Sequence, residues 1–225
     1  SMIGTAAQAE DKVKVGFIFL GPIGDYGWTW AHNKGREAIE SALGDKVETV
    51  YVENVAEDAS AVPVLRDLAQ QGCKLIFTTS YGYMDQTLQV AGEFPDVKFE
   101  HCTGFKRADN VSTYNSKFHE GRAVLGTIAG KMSASGTLGY LGSYKVPEVV
   151  LGVNAFCLSA QKQNPAATVK LVLIDSWFDP PKEAAATETL INLGCDIVTT
   201  HTDSPGPLQI LEQKGLFGSC GICIL

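Results

Sequence analysis

The sequence predicts an α/β protein made of two doubly wound, Rossmann-like lobes, and three observations carry that prediction. Short apolar runs alternate regularly with longer segments of helical spacing. The runs are apolar throughout, as in strands of a parallel sheet covered by helices on both faces. The rhythm breaks once, at the polar stretch Lys106-Arg107-Ala108-Asp109-Asn110, placing a first lobe over residues 13–109 and a second over 110–216. One continuous sheet is the alternative that the same alternation allows.

In chain order, Val13 to Leu20 reads as a buried strand ended by Gly21-Pro22, and Trp28 to Leu43 as a helix stopping at Gly44. Val47 to Glu53 is the next strand. Asp58 to Gln71 is a helix capped by Asp58 or Ser60 and closed by Gly72. Leu75 to Thr79, Met84 to Glu93 and Val97 to Cys102 repeat strand, helix, strand. The second series opens with an extended piece, Ser112 to Asn115, and a helix, Phe118 to Met132. It continues through strands Thr137 to Leu141, Thr168 to Ile174 and Asp196 to Thr200, separated by helices Pro147 to Asn164 and Pro181 to Leu193. Ser204 to Gly215 is the last helix, with Pro205 suited to its first turn.

Composition excludes several classes of function. The 225 residues are 45% hydrophobic and 19% charged, ordinary values for a globular chain. No apolar run approaches the roughly 20 residues of a membrane span. A formal net charge of −7 with no basic cluster argues against a nucleic-acid partner. Residues 1–12 read as processing remnants: Ser1-Met2 as an added dipeptide, and Thr5-Ala6-Ala7-Gln8-Ala9 as the small-x-small end of a removed signal peptide. Export is the expectation, with a disordered Ala-rich leader as the alternative. Cys73, Cys102, Cys157 and Cys195 lie in or beside apolar elements, where cysteine behaves as a small hydrophobe. Cys220-Gly221-Ile222-Cys223 has metal or redox spacing but lacks a second pair, and reads as incidental.

Ligands of open parallel sheets bind beyond the carboxyl ends of the strands. The residues following the strands are Gly21-Pro22-Ile23-Gly24-Asp25-Tyr26-Gly27-Trp28, then Ser80-Tyr81-Gly82-Tyr83, Gly142-Ser143-Tyr144, Asp175-Ser176-Trp177-Phe178-Asp179-Pro180 and His201-Thr202-Asp203-Ser204-Pro205. Aromatics and carboxylates recur there, the composition of a pocket for a flat polar ring held by its faces and read at its edge. Trp28 and Trp177 also suit core packing, and Asp25 and Asp203 also suit helix caps.

Gly21, Gly24 and Gly27 between a strand and a helix, with Glu53 ending the next strand, invite a dinucleotide-cofactor oxidoreductase. The fingerprint requires G-x-G-x-x-G, however, and Pro22 and Ile23 occupy that stretch while Asp25 opposes a phosphate. No hydrolase elbow, zinc-protease helix or Walker loop is present. His32, His101, His119 and His201 show no ligand spacing and read as surface or capping residues. No catalytic residue, metal or cofactor is expected.

At these residues the chain resembles a known family. Gly21 to Trp28, Ala108-Asp109-Asn110-Val111-Ser112-Thr113-Tyr114, Phe118-His119-Glu120-Gly121-Arg122, Pro147-Glu148 with Asn154-Ala155-Phe156, Trp177 to Pro180, and Thr202 to Pro205 together resemble the basic membrane protein family. Its members are periplasmic substrate-binding components of ABC importers, including purine-nucleoside and adenine receptors. The resemblance implies a type I periplasmic-binding fold, with ligand closed between two lobes, a permease as partner, and no enzymatic activity. It implies that Asp25, Trp28 and Trp177 hold the purine. Tyr26, Ser80, Tyr81 and Asp203 join them on strand-end placement, and the Gly-Trp form of the first loop favours adenine. Family chains run roughly a hundred residues further, as two full lobes require. The tail 217–225 does not resemble their continuation, so a missing C-terminal portion is expected. A remnant that binds weakly and self-associates through open sheet edges is the first alternative. A sugar-binding member of the same fold is another.

Overall fold

The apolar run at the start of the chain becomes β1 (Val13–Ile18), at the heart of a five-stranded parallel sheet. The computed structural model describes residues 12–220. Around β1 lie β2 (Val47–Val52), β3 (Leu75–Thr78), β4 (Lys98–Cys102) and β5 (Val111–Tyr114), in the order β2-β1-β3-β4-β5. Three helices cover it: α1 (Trp28–Leu43), α2 (Ala61–Gln70) and α3 (Met84–Glu93), with a 3-10 turn at Tyr81–Tyr83. On one face Leu65 and Leu68 of α2 and Val90 of α3 pack with Ile18, Ile76 and Phe99. On the other, Phe17 stacks on Phe77 with ring centroids 4.8 Å apart.

The helix α1 packs Ile39 against the cluster of Val15, Phe17 and Phe19, and polar contacts add to its hold. Buried Thr29 accepts the Gly21 N–H at 3.1 Å. Arg36 donates to the Thr49 hydroxyl at 2.8 Å and lays its guanidinium on the Tyr51 ring, 4.7 Å from the centroid. The helix α2 starts at Ala61, later than expected. Asp58 accepts the Ser60 N–H at 2.8 Å and so fixes the preceding turn, and Ser60 makes no side-chain cap.

This first unit comprises the described residues to Gly24 together with Thr29–Asn115, so the expected boundary after residue 109 moves to 115. The polar stretch 106–110 is a loop inside the unit, because β5 beyond it pairs with β4 (Phe99 with Val111, Cys102 with Tyr114). The Asn110 amide reaches the carbonyls of Ala91, Phe94 and Val97, which pins the loop to the end of α3.

The second unit takes Asp25–Trp28 and the chain from Ser116 onward. Its parallel sheet runs β7-β6-β8-β9, with β6 (Thr137–Gly142), β7 (Thr168–Leu173), β8 (Ile197–Thr200) and β9 (Phe217–Cys220). Helices α4 (Phe118–Met132) and α5 (Pro147–Gln163) bury Tyr140, Phe156 and Ala160 on one face. Helices α6 (Pro180–Asn192) and α7 (Gly206–Gln213) bury Leu190, Val198 and Leu211 on the other. Cys73 and Cys195 lie within apolar clusters.

The first residues of the tail 217–225 are a strand. Phe217–Cys220 continues the sheet, with Ile197 opposite Phe217 and Thr200 opposite Cys220. Residues 221–225, Cys223 among them, and the leader 1–11 lie outside the described residues. Among the described residues no helix is long and apolar enough to cross a membrane.

Candidate functional site at the strand ends

Each sheet reverses its winding once. The chain steps from β1 out to β2 and returns past β1 to β3, and it does the same from β6 to β7 and back to β8. The carboxyl ends of β1 and β3, and of β6 and β8, flank the switch points at which such sheets bind ligands.

In the second unit, Tyr144 follows β6, Trp177 follows β7, and His201 to Asp203 follow β8. The Trp177 ring lies 5.5 Å from that of Tyr144 and 6.3 Å from that of His201, centroid to centroid. The Asp203 N–H donates to the Trp177 carbonyl at 3.0 Å, joining the two loops through their backbones. The segment Asp25–Trp28 belongs to the same unit. A Cβ on Gly27 would stand 2.5 Å from the Asp203 carbonyl oxygen, so only glycine permits this approach. Asp25 is buried and accepts the Gly27 N–H at 2.8 Å, shaping the turn ahead of α1. Trp28 packs its ring 5.7 Å from Phe118. Tyr26, 69% exposed, takes a left-handed φ of 58°.

Ser80 and Tyr81 lie in the first unit, at the end of β3. Ser80 is buried and gives its hydroxyl to Glu57, which also accepts the Gly82 N–H at 2.8 Å. Tyr81 is half-buried and opens the 3-10 turn. Glu53, weighed above as a ribose partner, accepts the Ile23 N–H at 2.7 Å and so stiffens the first loop. Asp203 is not the cap of α7, which begins at Gly206 behind Pro205.

Three residues behind the strand ends were not singled out from the sequence: His201 as a buried group, Arg122 and Glu183. The expectation of surface or capping histidines is corrected for His101 and His201, both buried. His201 Nδ1 pairs with the Tyr140 hydroxyl at 2.9 Å, and its Nε2 lies 3.5 Å from Glu148. Arg122, fully buried, donates to the Thr200 carbonyl at 2.7 Å and lies over the Tyr140 ring. Burial, with the Arg122 charge adding to it, pulls the His201 pKa down to about 4 against the opposing pull of Glu148. Burial likewise brings His101 to about 4; its Nδ1 pairs with the Thr78 hydroxyl at 2.8 Å. Burial pushes the Tyr140 hydroxyl up to about 12.

Both histidines therefore fold as neutral rings, and their linkage has one sign. An unfolded imidazole near 6.5 takes up protons that the folded one refuses until about pH 4. The stabilisation is complete above pH 6.5 and declines as the pH falls toward 4, by on the order of 2–3 kcal/mol per ring. Urea unfolding at pH 7.0 and pH 4.5 checks this: His101→Asn will show a shallower loss than the parent by about that amount. Among the described residues no group of three or more His, Cys, Asp or Glu side chains is arranged to hold a metal.

The family described as ABC transporter substrate-binding protein PnrA-like (Bmp) matches residues 12–216. The chain belongs to this family. It is 56% identical over 215 residues to a purine-binding protein of Brucella abortus (strain 2308), an alignment covering 96% of this chain and 61% of that relative. It is 36% identical over 216 residues to a protein of Haloferax volcanii named for glucose binding by an ABC transporter, covering 96% of this chain and 55% of the relative. An ABC transporter solute-binding protein of Aeropyrum pernix K1 superposes with a TM-score of 0.78 at 18% identity, over 92% of this chain and 61% of that one. That likeness concerns the fold alone, and it agrees with the periplasmic-binding-protein class expected from the sequence. The chain thus spans between half and two thirds of the length of these relatives. The Bmp family is one of solute-binding proteins rather than enzymes.

Proposed function

We propose that this chain captures a purine base, adenine before others, as the exported, periplasmic binding component of an ABC importer whose permease is its partner. The observation that carries the reading is the wall of the second unit: Trp177 flanked by Tyr144 and His201, its carbonyl bonded to the Asp203 N–H, with the Asp25–Trp28 segment resting on Asp203. A purine stacks on Trp177 and Trp28 by its faces. Its exocyclic amine and ring N–H are donors, which the Asp25 and Asp203 carboxylates accept. The same carboxylates repel a phosphate, so a free base or nucleoside is preferred to a nucleotide. Tyr26, and Ser80 and Tyr81 of the first unit, are assigned supporting contacts on their strand-end placement. The purine-binding name of the Brucella relative supports this ligand class.

Calorimetric titration with adenine, guanosine, inosine, AMP and glucose tests the reading. Adenine is expected to bind most tightly and AMP to give no heat. Heat from glucose with none from any purine would replace the purine by a sugar, the ligand class in the Haloferax relative's name. Silence toward the whole panel would overturn ligand capture by this chain. Light scattering on the same sample separates a monomeric receptor from a self-associating remnant.

A further inference from the structure

Glu183, one turn into α6, is a fully buried carboxylate whose position is set by four donors. Its Oε2 accepts the Thr202 hydroxyl at 2.8 Å, the Ser204 hydroxyl at 2.7 Å and the Ser204 N–H at 3.2 Å. Its Oε1 accepts the Asp179 N–H at 3.0 Å. A carboxylate offers about four lone-pair directions; here three donors crowd Oε2 and one holds Oε1, so both oxygens are fixed by the protein. The partners lie on the two loops that carry Trp177 and Asp203: Asp179 closes the loop after β7, and Thr202 and Ser204 bracket Asp203. The Asp203 N–H to Trp177 carbonyl bond spans the same pair of loops.

We infer that Glu183 is the positioning residue of this wall: it sets where the Trp177 ring and the Asp203 carboxylate stand, and thereby the affinity and selectivity for the ring they hold. The inference rests on the purine reading for its ligand and on the hydrogen bonds alone for its geometry. Two of the donors are backbone N–H groups that cannot turn away, and they require an acceptor on each side of the carboxyl group. Glutamine has the same shape but offers an acceptor on one side only. In Glu183→Gln an amide NH2 must therefore face either Ser204 N–H or Asp179 N–H. Aspartate keeps both acceptors but draws them back by one methylene.

The test uses the full chain with Glu183→Gln and Glu183→Asp, reading amide hydrogen exchange at Asp179 and over 202–204, thermal unfolding and adenine affinity. For Glu183→Gln, exchange at Asp203 and at whichever of Asp179 and Ser204 then faces the NH2 is expected to rise about tenfold or more while that of β6 and β8 is unchanged, and adenine affinity to fall about tenfold. Glu183→Asp is expected to recover part of both. Unchanged exchange at both Asp179 and 202–204 overturns the inference, and so does raised exchange with parental adenine affinity. If the parent chain takes up no purine, the purine reading fails by itself, and the exchange comparison still decides whether Glu183 holds the loops. Ser204→Ala, which removes one hydroxyl donor and keeps the backbone bond, is expected to produce a smaller change in the same direction.

Discussion

Gly126→Ala will lower the stability of the second unit by about 3 kcal/mol, the upper part of the range for overpacking a close-packed interior. The reason is what the new methyl group meets. A Cβ on Gly126 would stand 2.2 Å from the Phe156 carbonyl oxygen and 2.9 Å from that residue's Cα, and one on Gly130 would stand 2.4 Å from the Ala160 carbonyl oxygen. These are backbone atoms of α5, so no rotamer change relieves the contact and the helices must part. Parting them opens the cluster of Tyr140, Phe156 and Ala160 beneath. Gly130→Ala will act in the same way, and the double variant will cost less than the sum, because one separation of α4 from α5 relieves both clashes. Gly121→Ala is the control within the same helix. Its Cβ would meet nothing within 4 Å, so the gain in helix propensity, up to about 1 kcal/mol, is expected to show as a stabilisation. Urea midpoints of the four variants measure these effects, and a neutral Gly126→Ala would contradict the backbone contact between the helices.

On the purine reading proposed above, Trp177→Ala will weaken adenine binding by on the order of 30-fold, since stacking on an aromatic contributes about 1–3 kcal/mol per base and loss of the indole also exposes the polar edge contacts to water. The side chain is half-buried and its neighbours, Tyr144 and His201, pack against it without depending on it for the sheet core. Stability is therefore expected to change far less than affinity. Trp177→Phe will recover most of the loss, as a smaller ring still stacks. Titration calorimetry on folded protein, checked by near-ultraviolet circular dichroism, reads the result. Equal affinities for the parent and Trp177→Ala would remove Trp177 from the site.

Much of the fold was legible because its signals are local. The bounds read for α1, α3 and α4 from apolar spacing are those observed, Trp28–Leu43, Met84–Glu93 and Phe118–Met132. Gly72, read as the close of its helix, takes a φ of 91°, which residues with a Cβ rarely adopt. The candidate wall was half legible. Strand-end aromatics stand out in a sequence, whereas the groups that orient them do not. Glu183 reads as an ordinary first-turn acid of a helix. His201 reads as a surface or capping residue, because polarity in a sequence signals exposure unless a partner is known.

By itself the sequence determined the alternation of elements, the parallel character of the strands, the family and the residues at the strand ends. Each of these follows from short-range periodicity, turn chemistry or motifs a few residues long. Tertiary structure alone decided that β5 belongs to the first sheet and β9 to the second, and that Asp25–Trp28 is counted with the second unit. It also decided which polar groups are buried. Arg122 meets the Thr200 carbonyl across 78 residues of sequence, and Tyr140 meets His201 across 61. A buried charge or imidazole is tolerable only where such a partner arrives, and the partner comes from a distant strand whose position is set by sheet order.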